Sequence, residues 1–119
     1  MTKNSKPYDL EDRTFEFARR VRSFVKLLPK TMGNLQDGPQ LIRSSGSVAA
    51  NYIEANEALS KKDFIMRIKI CRKESKESRL WARLVETGNE ASVGTERASL
   101  MQEATELMNI FGSILRKSE

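Results

Sequence analysis

Residues 60–88 read SKKDFIMRIKICRKESKESRLWARLVETG, and their apolar periodicity predicts one long helix with three different faces. Ser60 and Asp63 form a capping box at its start, and Gly88 provides a stop signal at its end. Placing residues at about 100° intervals gathers small and apolar side chains on one face. This face is expected to enter the core, and it consists of Phe64, Ile68, Cys71, Ser75, Ser78, Ala82 and Val85.

The two other faces of this helix, one basic and one apolar, are an unusual combination on a single helix. One, the basic ridge, consists of Lys62, Lys69, Arg72, Lys76, Arg79 and Arg83. The other, the outer apolar stripe, consists of Met66, Ile70, Leu80, Trp81 and Leu84. An ordinary surface helix buries one stripe of about 100° and exposes the rest to water. A basic ridge beside a second apolar stripe therefore indicates two kinds of partner.

The remaining chain predicts three further helices. Together with the long helix described above, which is the third in chain order, the predicted helices span about 9–28, 39–59, 61–87 and 95–117. Gly38-Pro39 is expected to open the second helix, because proline is tolerated at the first helical position, and its core stripe is expected to end at Leu59. Thr95-Glu96 is expected to open the fourth, with an acid in the first turn. Short connections favour antiparallel neighbours, so residues 1–119 are expected to form a single all-α domain, an antiparallel up-down-up-down four-helix bundle.

The formal net charge is +5, and it is unevenly distributed. Residues 60–88 contain nine bases and four acids, a local charge of +5. Such concentration is typical of a face that meets a polyanion, although a solvated lysine-rich surface is the alternative. Arg19, Arg22 and Lys26 offer a second basic strip on the first helix. No aromatic platform is interleaved with these bases, so RNA or DNA would be bound largely without sequence preference.

Most catalytic chemistry is missing from the sequence. There is no histidine, which removes the commonest general base and metal ligand, and the one cysteine excludes a zinc site of Cys/His type. Cys71 lies on the core face, so a small buried hydrophobe is expected there. Four carboxylates could bind a hard metal, but we expect them to pair with Arg43, Lys73 or bases of a neighbouring subunit. These carboxylates are Glu54, Glu57, Glu74 and Glu77. The sequence therefore predicts no metal, no cofactor and no enzymatic activity.

The sequence also indicates a compartment. No apolar run approaches the length of a membrane span, and residues 1–6 lead into no signal-peptide core. A single cysteine suits a reducing environment. We therefore expect a cytoplasmic protein without a membrane partner.

A more specific pattern occupies residues 43–59, which read RSSGSVAANYIEANEAL. Together with YDLE at 8–11, LPK at 28–30 and SxxDFI at 60–65, this stretch resembles the 23S rRNA-intervening-sequence protein family. The resemblance covers roughly residues 8–87, and the fourth helix matches only in its apolar pattern. Its specificity lies in Arg43, Ser44, Ser47, Asn51, Glu54 and Ala55.

The resemblance implies an antiparallel bundle that is often assembled as a homopentameric ring, with no established enzymatic activity. It also implies association with nucleic acid, as in relatives of the accessory variability determinant of diversity-generating retroelements, which act beside a reverse transcriptase. It offers no catalytic residues, so we interpret Arg43, Asn51 and Glu54 as a polar contact between helices or subunits. A subunit interface would also account for the outer apolar stripe. Alternatively, the long helix packs against both neighbours within one bundle, which would bury about half of that stripe.

These observations favour a non-catalytic, oligomeric nucleic-acid-binding accessory protein that uses a basic helix face. The alternative is an oligomeric scaffold that recruits a protein partner and has no role with nucleic acid. An enzyme based on the four carboxylates ranks last.

Overall fold

The computed structural model describes residues 9–118, which form four α-helices and no strand. The helices are α1 (Leu10–Lys26), α2 (Met32–Asn56), α3 (Lys61–Leu84) and α4 (Ala91–Ser118). The predicted all-α fold class is confirmed. Tyr8, which belongs to the stretches that carry the family resemblance (the family-like pattern), lies outside the described residues.

The helices pack in a cyclic order. α2 and α4 each contact both α1 and α3, whereas α1 and α3 are diagonal to each other and their Cα atoms do not come within 8 Å. Neighbours run antiparallel: Asn56 at the end of α2 donates a 2.8 Å hydrogen bond to Glu11 at the start of α1. Likewise Arg97, near the start of α4, donates to the carbonyl of Val85 just after α3, at 2.7 Å. Short loops therefore connect antiparallel helices at both ends of the bundle.

One apolar core lies between the helices. Its largest fully buried side chains include Phe17 and Phe24 of α1, Leu41 of α2, Ile68 of α3 and Phe111 of α4. On α3, the predicted core face is buried from Ile68 to Val85, while Phe64 at its start is half-buried. The serines of this face let helices approach closely, because they are small and because Ser75 donates to the carbonyl of Cys71 at 2.8 Å.

The start of α2 differs from the prediction. The helix begins at Met32, seven residues before Pro39, because the Thr31 hydroxyl accepts a hydrogen bond from the Asn34 amide at 3.1 Å and caps the first turn. Pro39 therefore lies inside the helix, on an exposed side where water can reach the carbonyl that its missing N–H leaves free. The end of α2 differs as well. The helix stops at Asn56, so Leu59, the predicted last core position, is 99% exposed.

The end of α3 is set by a tertiary contact. As predicted, the Ser60 hydroxyl caps its start by accepting from the Asp63 amide at 3.0 Å. The helix ends at Leu84 and not at Gly88, because Asn34 captures the chain beyond it: its side chain accepts from the Glu86 amide and donates to the Glu86 carbonyl, both at 2.9 Å. Gly88 instead supplies a left-handed turn (φ 76°) in the loop that follows.

The start of α4 was also predicted too late. The helix begins at Ala91 because Val93 is drawn into the core, where it is 4% exposed. Glu96, the acid predicted for the first turn, lies one turn farther in and pairs with Arg20 of α1 at 3.2 Å. α4 therefore begins about one turn before the predicted position, and the carbonyl of Glu90 accepts its first backbone hydrogen bonds.

Candidate nucleic-acid interface

The basic ridge follows the whole length of α3. All six of its side chains are exposed, and from Lys62 to Arg83 they span about 32 Å at 1.5 Å per residue. Within residues 9–118, none of the six forms an ion pair. The ridge is therefore a continuous line of uncompensated positive charge.

Several arginines on other faces are neutralised by carboxylates. Arg13 on α1 contacts Glu103 and Glu106 of α4 at 2.8 and 2.7 Å, and these hydrogen bonds raise the pKa of its guanidinium. Arg20 pairs with Glu96 in the same α1–α4 seam. Because these charges cancel locally, the positive field of the bundle is concentrated on the α3 side.

The second predicted basic strip does not join the ridge. Its residues lie on α1, which is diagonal to α3. Arg19 is paired with Glu16 at 2.6 Å, and Arg22 folds back to donate to the Ala18 carbonyl at 3.0 Å. Lys26 is exposed at the end of the helix. One nucleic-acid segment on a single protomer would therefore contact the ridge without this strip.

Two bases missed by the sequence interpretation extend the ridge into a groove between α3 and α4. This α3–α4 groove has a volume of about 460 Å³, and Lys73 and Arg116 line it with Lys69, Arg72 and Lys76 of the ridge. Its floor is apolar and consists of Met108, Gly112 and Leu115. The sequence signal for Arg116 is its spacing from Gly112. Residues four apart on a helix lie on one face, and because glycine has no side chain, it leaves room for the guanidinium of Arg116.

The family-like pattern builds a polar seam between α2 and α3. Arg43 reaches Glu74 at 3.3 Å and Glu77 at 3.2 Å. The hydroxyls of Ser44 and Ser78 share a buried hydrogen bond of 2.7 Å. The seam positions α3 on the bundle and thereby fixes the direction in which the ridge points.

Asn51 completes this seam. Its side-chain oxygen accepts from Arg67 of α3 at 2.9 Å, while its amide donates to the carbonyl and hydroxyl of Ser47 at 3.0 Å. The interpretation of Arg43 and Asn51 as a helix–helix contact is confirmed. Glu54 is exposed and takes no part in the seam, so only its alternative interpretation, a contact between subunits, remains a prediction.

The carboxylates of α2 and α3 do not gather into a site. The expected pairing of Glu74 and Glu77 with Arg43 is confirmed. Across residues 9–118 no group of three or more His, Cys, Asp or Glu side chains could hold a metal ion. Cys71 is buried as predicted, and burial raises the pKa of its thiol to about 12. That thiol therefore stays protonated and unreactive at neutral pH.

The outer apolar stripe is only partly covered. Met66, Leu80 and Leu84 remain 43%, 46% and 53% exposed. Trp81 packs against the core of its own chain, and Ile70 is half-buried. Packing of α3 against its neighbours within one bundle, the alternative to a subunit interface, thus covers Ile70 and Trp81 and leaves the other three residues of the stripe exposed to solvent.

No helix in the described part of the chain is long and apolar enough to cross a membrane.

Comparisons with known proteins place this bundle in a family. The sequence pattern of the 23S rRNA-intervening sequence protein family matches residues 7–113. No curated protein shows significant sequence similarity. The chain is similar in structure to a protein of unknown function from the S23 ribosomal protein family of Bacteroides thetaiotaomicron, with a TM-score of 0.73 and 29% identity over 88% of this chain and 96% of that one. Because the family pattern spans nearly the whole sequence, the chain belongs to the 23S rRNA-intervening sequence protein family.

Proposed function

We propose that this protein is a non-catalytic, oligomeric accessory protein that binds nucleic acid through the basic ridge of α3. One observation carries the proposal: six exposed bases lie along one helix with no acidic partner among residues 9–118, whereas Arg13, Arg20 and Arg43 elsewhere are ion-paired. Long rows of uncompensated Lys and Arg are the electrostatic feature that attracts a phosphate backbone. We place this role in the cytoplasm, which the single cysteine favours.

Binding of this kind should depend on charge and not on base sequence. Lys and Arg contacts to phosphates position a protein on nucleic acid but carry no sequence information. Trp81, the one tryptophan, packs against the core and is not a stacking platform on the ridge. The affinity should therefore be similar for unrelated sequences of equal length.

The direct test is a titration with fluorescently labelled RNA or DNA at several salt concentrations. If about six phosphates are contacted, the affinity for duplex should fall roughly 10³-fold between about 50 and 200 mM salt, because each contact releases condensed counterions. An affinity that changes less than about tenfold over this range would sink the proposal.

The oligomer is proposed from the outer apolar stripe. Met66, Leu80 and Leu84 are each more than 40% exposed and lie on one helix face. Leu80 and Leu84 lie one turn apart, and Met66 lies about 21 Å along the same face at 1.5 Å per residue. Because exposed apolar side chains aligned on one face are typical of an interaction surface, we assign this face to a second copy of the chain. The family resemblance implies five copies in a ring.

Replacing two leucines of the stripe should dissociate the oligomer. We expect Leu80→Glu combined with Leu84→Glu to yield particles of 13.6 kDa by light scattering, because a carboxylate in an apolar interface loses its hydration. Leu27→Glu is the control, since Leu27 is 62% exposed just after α1, away from the stripe. A wild-type protein that already scatters at 13.6 kDa would contradict the oligomer but leave the nucleic-acid proposal in place.

A second candidate function is the recruitment of an acidic protein partner. A depression of about 380 Å³ on α3 is lined by one apolar side chain, Leu80, by the bases Lys76, Arg79 and Arg83, and by Glu77, whose charge is met by Arg43. An acidic amphipathic segment would complement this mixture of apolar and basic groups. This candidate predicts that charge reversal on α3 leaves nucleic-acid affinity unchanged while abolishing capture of the protein partner.

A further inference from the structure

We infer that the α3–α4 groove is a binding site for single-stranded nucleic acid and that it prefers a single strand to a duplex. The inference rests on the proposed function and deepens it. The nucleic acid would then bind in a concave site between α3 and α4 and not only along the exposed face of α3.

The charge of the groove is wholly of one sign. Of the eight residues that line it, five are bases and none is an acid. Within residues 9–118 these bases form no ion pair. Three of them also belong to the basic ridge, so a strand in the groove can continue along α3 in both directions.

The shape of the groove decides between a strand and a duplex. Packed helix axes lie about 8–10 Å apart, and this spacing limits the width of the concavity of about 460 Å³ between α3 and α4. The phosphates of a duplex sit on a stiff, convex surface that can touch the crest of α3 but cannot enter such a groove. A single strand is flexible, and basic grooves that follow its backbone are how proteins bind it without sequence preference.

The floor of the groove supplies a second kind of contact. Met108 and Leu115 of α4 are apolar and line the groove beneath the bases. In a duplex the base faces are stacked and unavailable, whereas a single strand can lay a sugar or base against these side chains. Methionine suits this role because its polarizable thioether makes favourable contacts with aromatic rings.

Gly112 keeps the groove open. A Cβ built on Gly112 would lie 3.5 Å from Nη1 of Arg116, so the guanidinium rests over the place where a side chain would be. A large residue here would fill the floor and displace Arg116 without changing any charge.

Gly112→Leu therefore separates the groove from the ridge. The probes are a labelled oligo(dT) of about 12 nucleotides, longer than the ridge at about 3.4 Å per nucleotide, and a duplex of the same length. At about 0.1 M salt we expect Gly112→Leu to weaken oligo(dT) binding roughly fivefold, the loss of about one phosphate contact, and to leave duplex binding within about twofold. Gly94→Leu is the matched control on α4, since a Cβ there meets nothing within 4 Å. Arg116→Gln changes only an exposed side chain and should give the same selective loss if the leucine variant does not fold.

Each outcome of this experiment has one meaning. Unchanged binding of both probes by Gly112→Leu and Arg116→Gln would overturn the groove and leave the ridge as the binding surface. An equal loss for strand and duplex would overturn the preference for a single strand. If wild-type protein binds neither probe at low salt but binds poly-glutamate, the proposed function itself fails and an acidic protein becomes the ligand.

Discussion

Reversing two charges at the centre of the basic ridge, Arg72→Glu with Lys76→Glu, should weaken nucleic-acid binding at least about 100-fold at 0.1 M salt. Both residues lie on the ridge and also line the α3–α4 groove. Each phosphate contact contributes close to one unit to the slope of log affinity against log salt concentration. Losing one contact at 0.1 M salt therefore lowers the affinity about tenfold, and losing two lowers it about 100-fold. The new carboxylates repel neighbouring phosphates and add to this loss.

The matched control for this variant keeps the change in net charge and alters only its place. Lys26→Glu with Lys30→Glu also changes the charge by −4, at exposed positions at the end of α1 and just beyond it. We expect a loss of less than about tenfold and a salt slope that is nearly unchanged, whereas the ridge variant should reduce the slope by about 2. Equal losses for the two variants would mean that net charge, and not the ridge, governs binding.

The faces of α3 could be predicted from sequence because helical geometry fixes them. Once residues 60–88 are helical, the 100° spacing places Ile68 and Cys71 in the core and the six bases in solvent. Arg43 was one of the partners expected for Glu74 and Glu77, beside Lys73 and bases of a neighbouring subunit, and the structure shows both acids paired with it. Local periodicity therefore sufficed for the fold class and for the exposure of the ridge.

The end of α3 could not be predicted in this way, because a contact between distant residues decides it. Asn34 falls between the first two predicted helices, yet its side-chain amide donates to the Pro29 carbonyl at 2.8 Å and its side chain also bonds the backbone of Glu86 in the loop after α3. That network ends α3 before Gly88, and no single-helix rule contains this contact. The early start of α2, by contrast, follows from the Thr31 cap, a local signal that the prediction overlooked.

The groove was missed for a related reason. A helical wheel describes one helix, whereas the α3–α4 groove needs bases from two helices and a glycine between them. Arg116 was visible in the sequence only as a cation suited to a helix C-terminus. Its position over Gly112 beside Lys69 and Arg72 depends on which helices are neighbours and on how far each is shifted along the other.

The largest loss of stability is expected from Phe111→Ala. Phe111 is 0% exposed, and its ring centroid lies 6.0 Å from that of Tyr52 on α2. Removing a buried phenyl group forfeits its transfer free energy and leaves a cavity, at a cost of about 3–5 kcal/mol. This is a large share of the roughly 5–15 kcal/mol by which native proteins are stable. The melting temperature should fall by about 10–20 °C.

Phe15→Ala is the matched control, because Phe15 on α1 is 57% exposed and the substitution removes the same atoms. Its free energy of unfolding, measured by guanidinium titration, should change by less than about 1 kcal/mol, because little apolar surface returns to water. A loss at Phe111 no larger than at Phe15 would contradict the placement of α4 in the core. A loss of several kcal/mol at both positions would instead show that another copy of the chain covers the outer face of α1, since only burial makes a phenyl group that costly to remove.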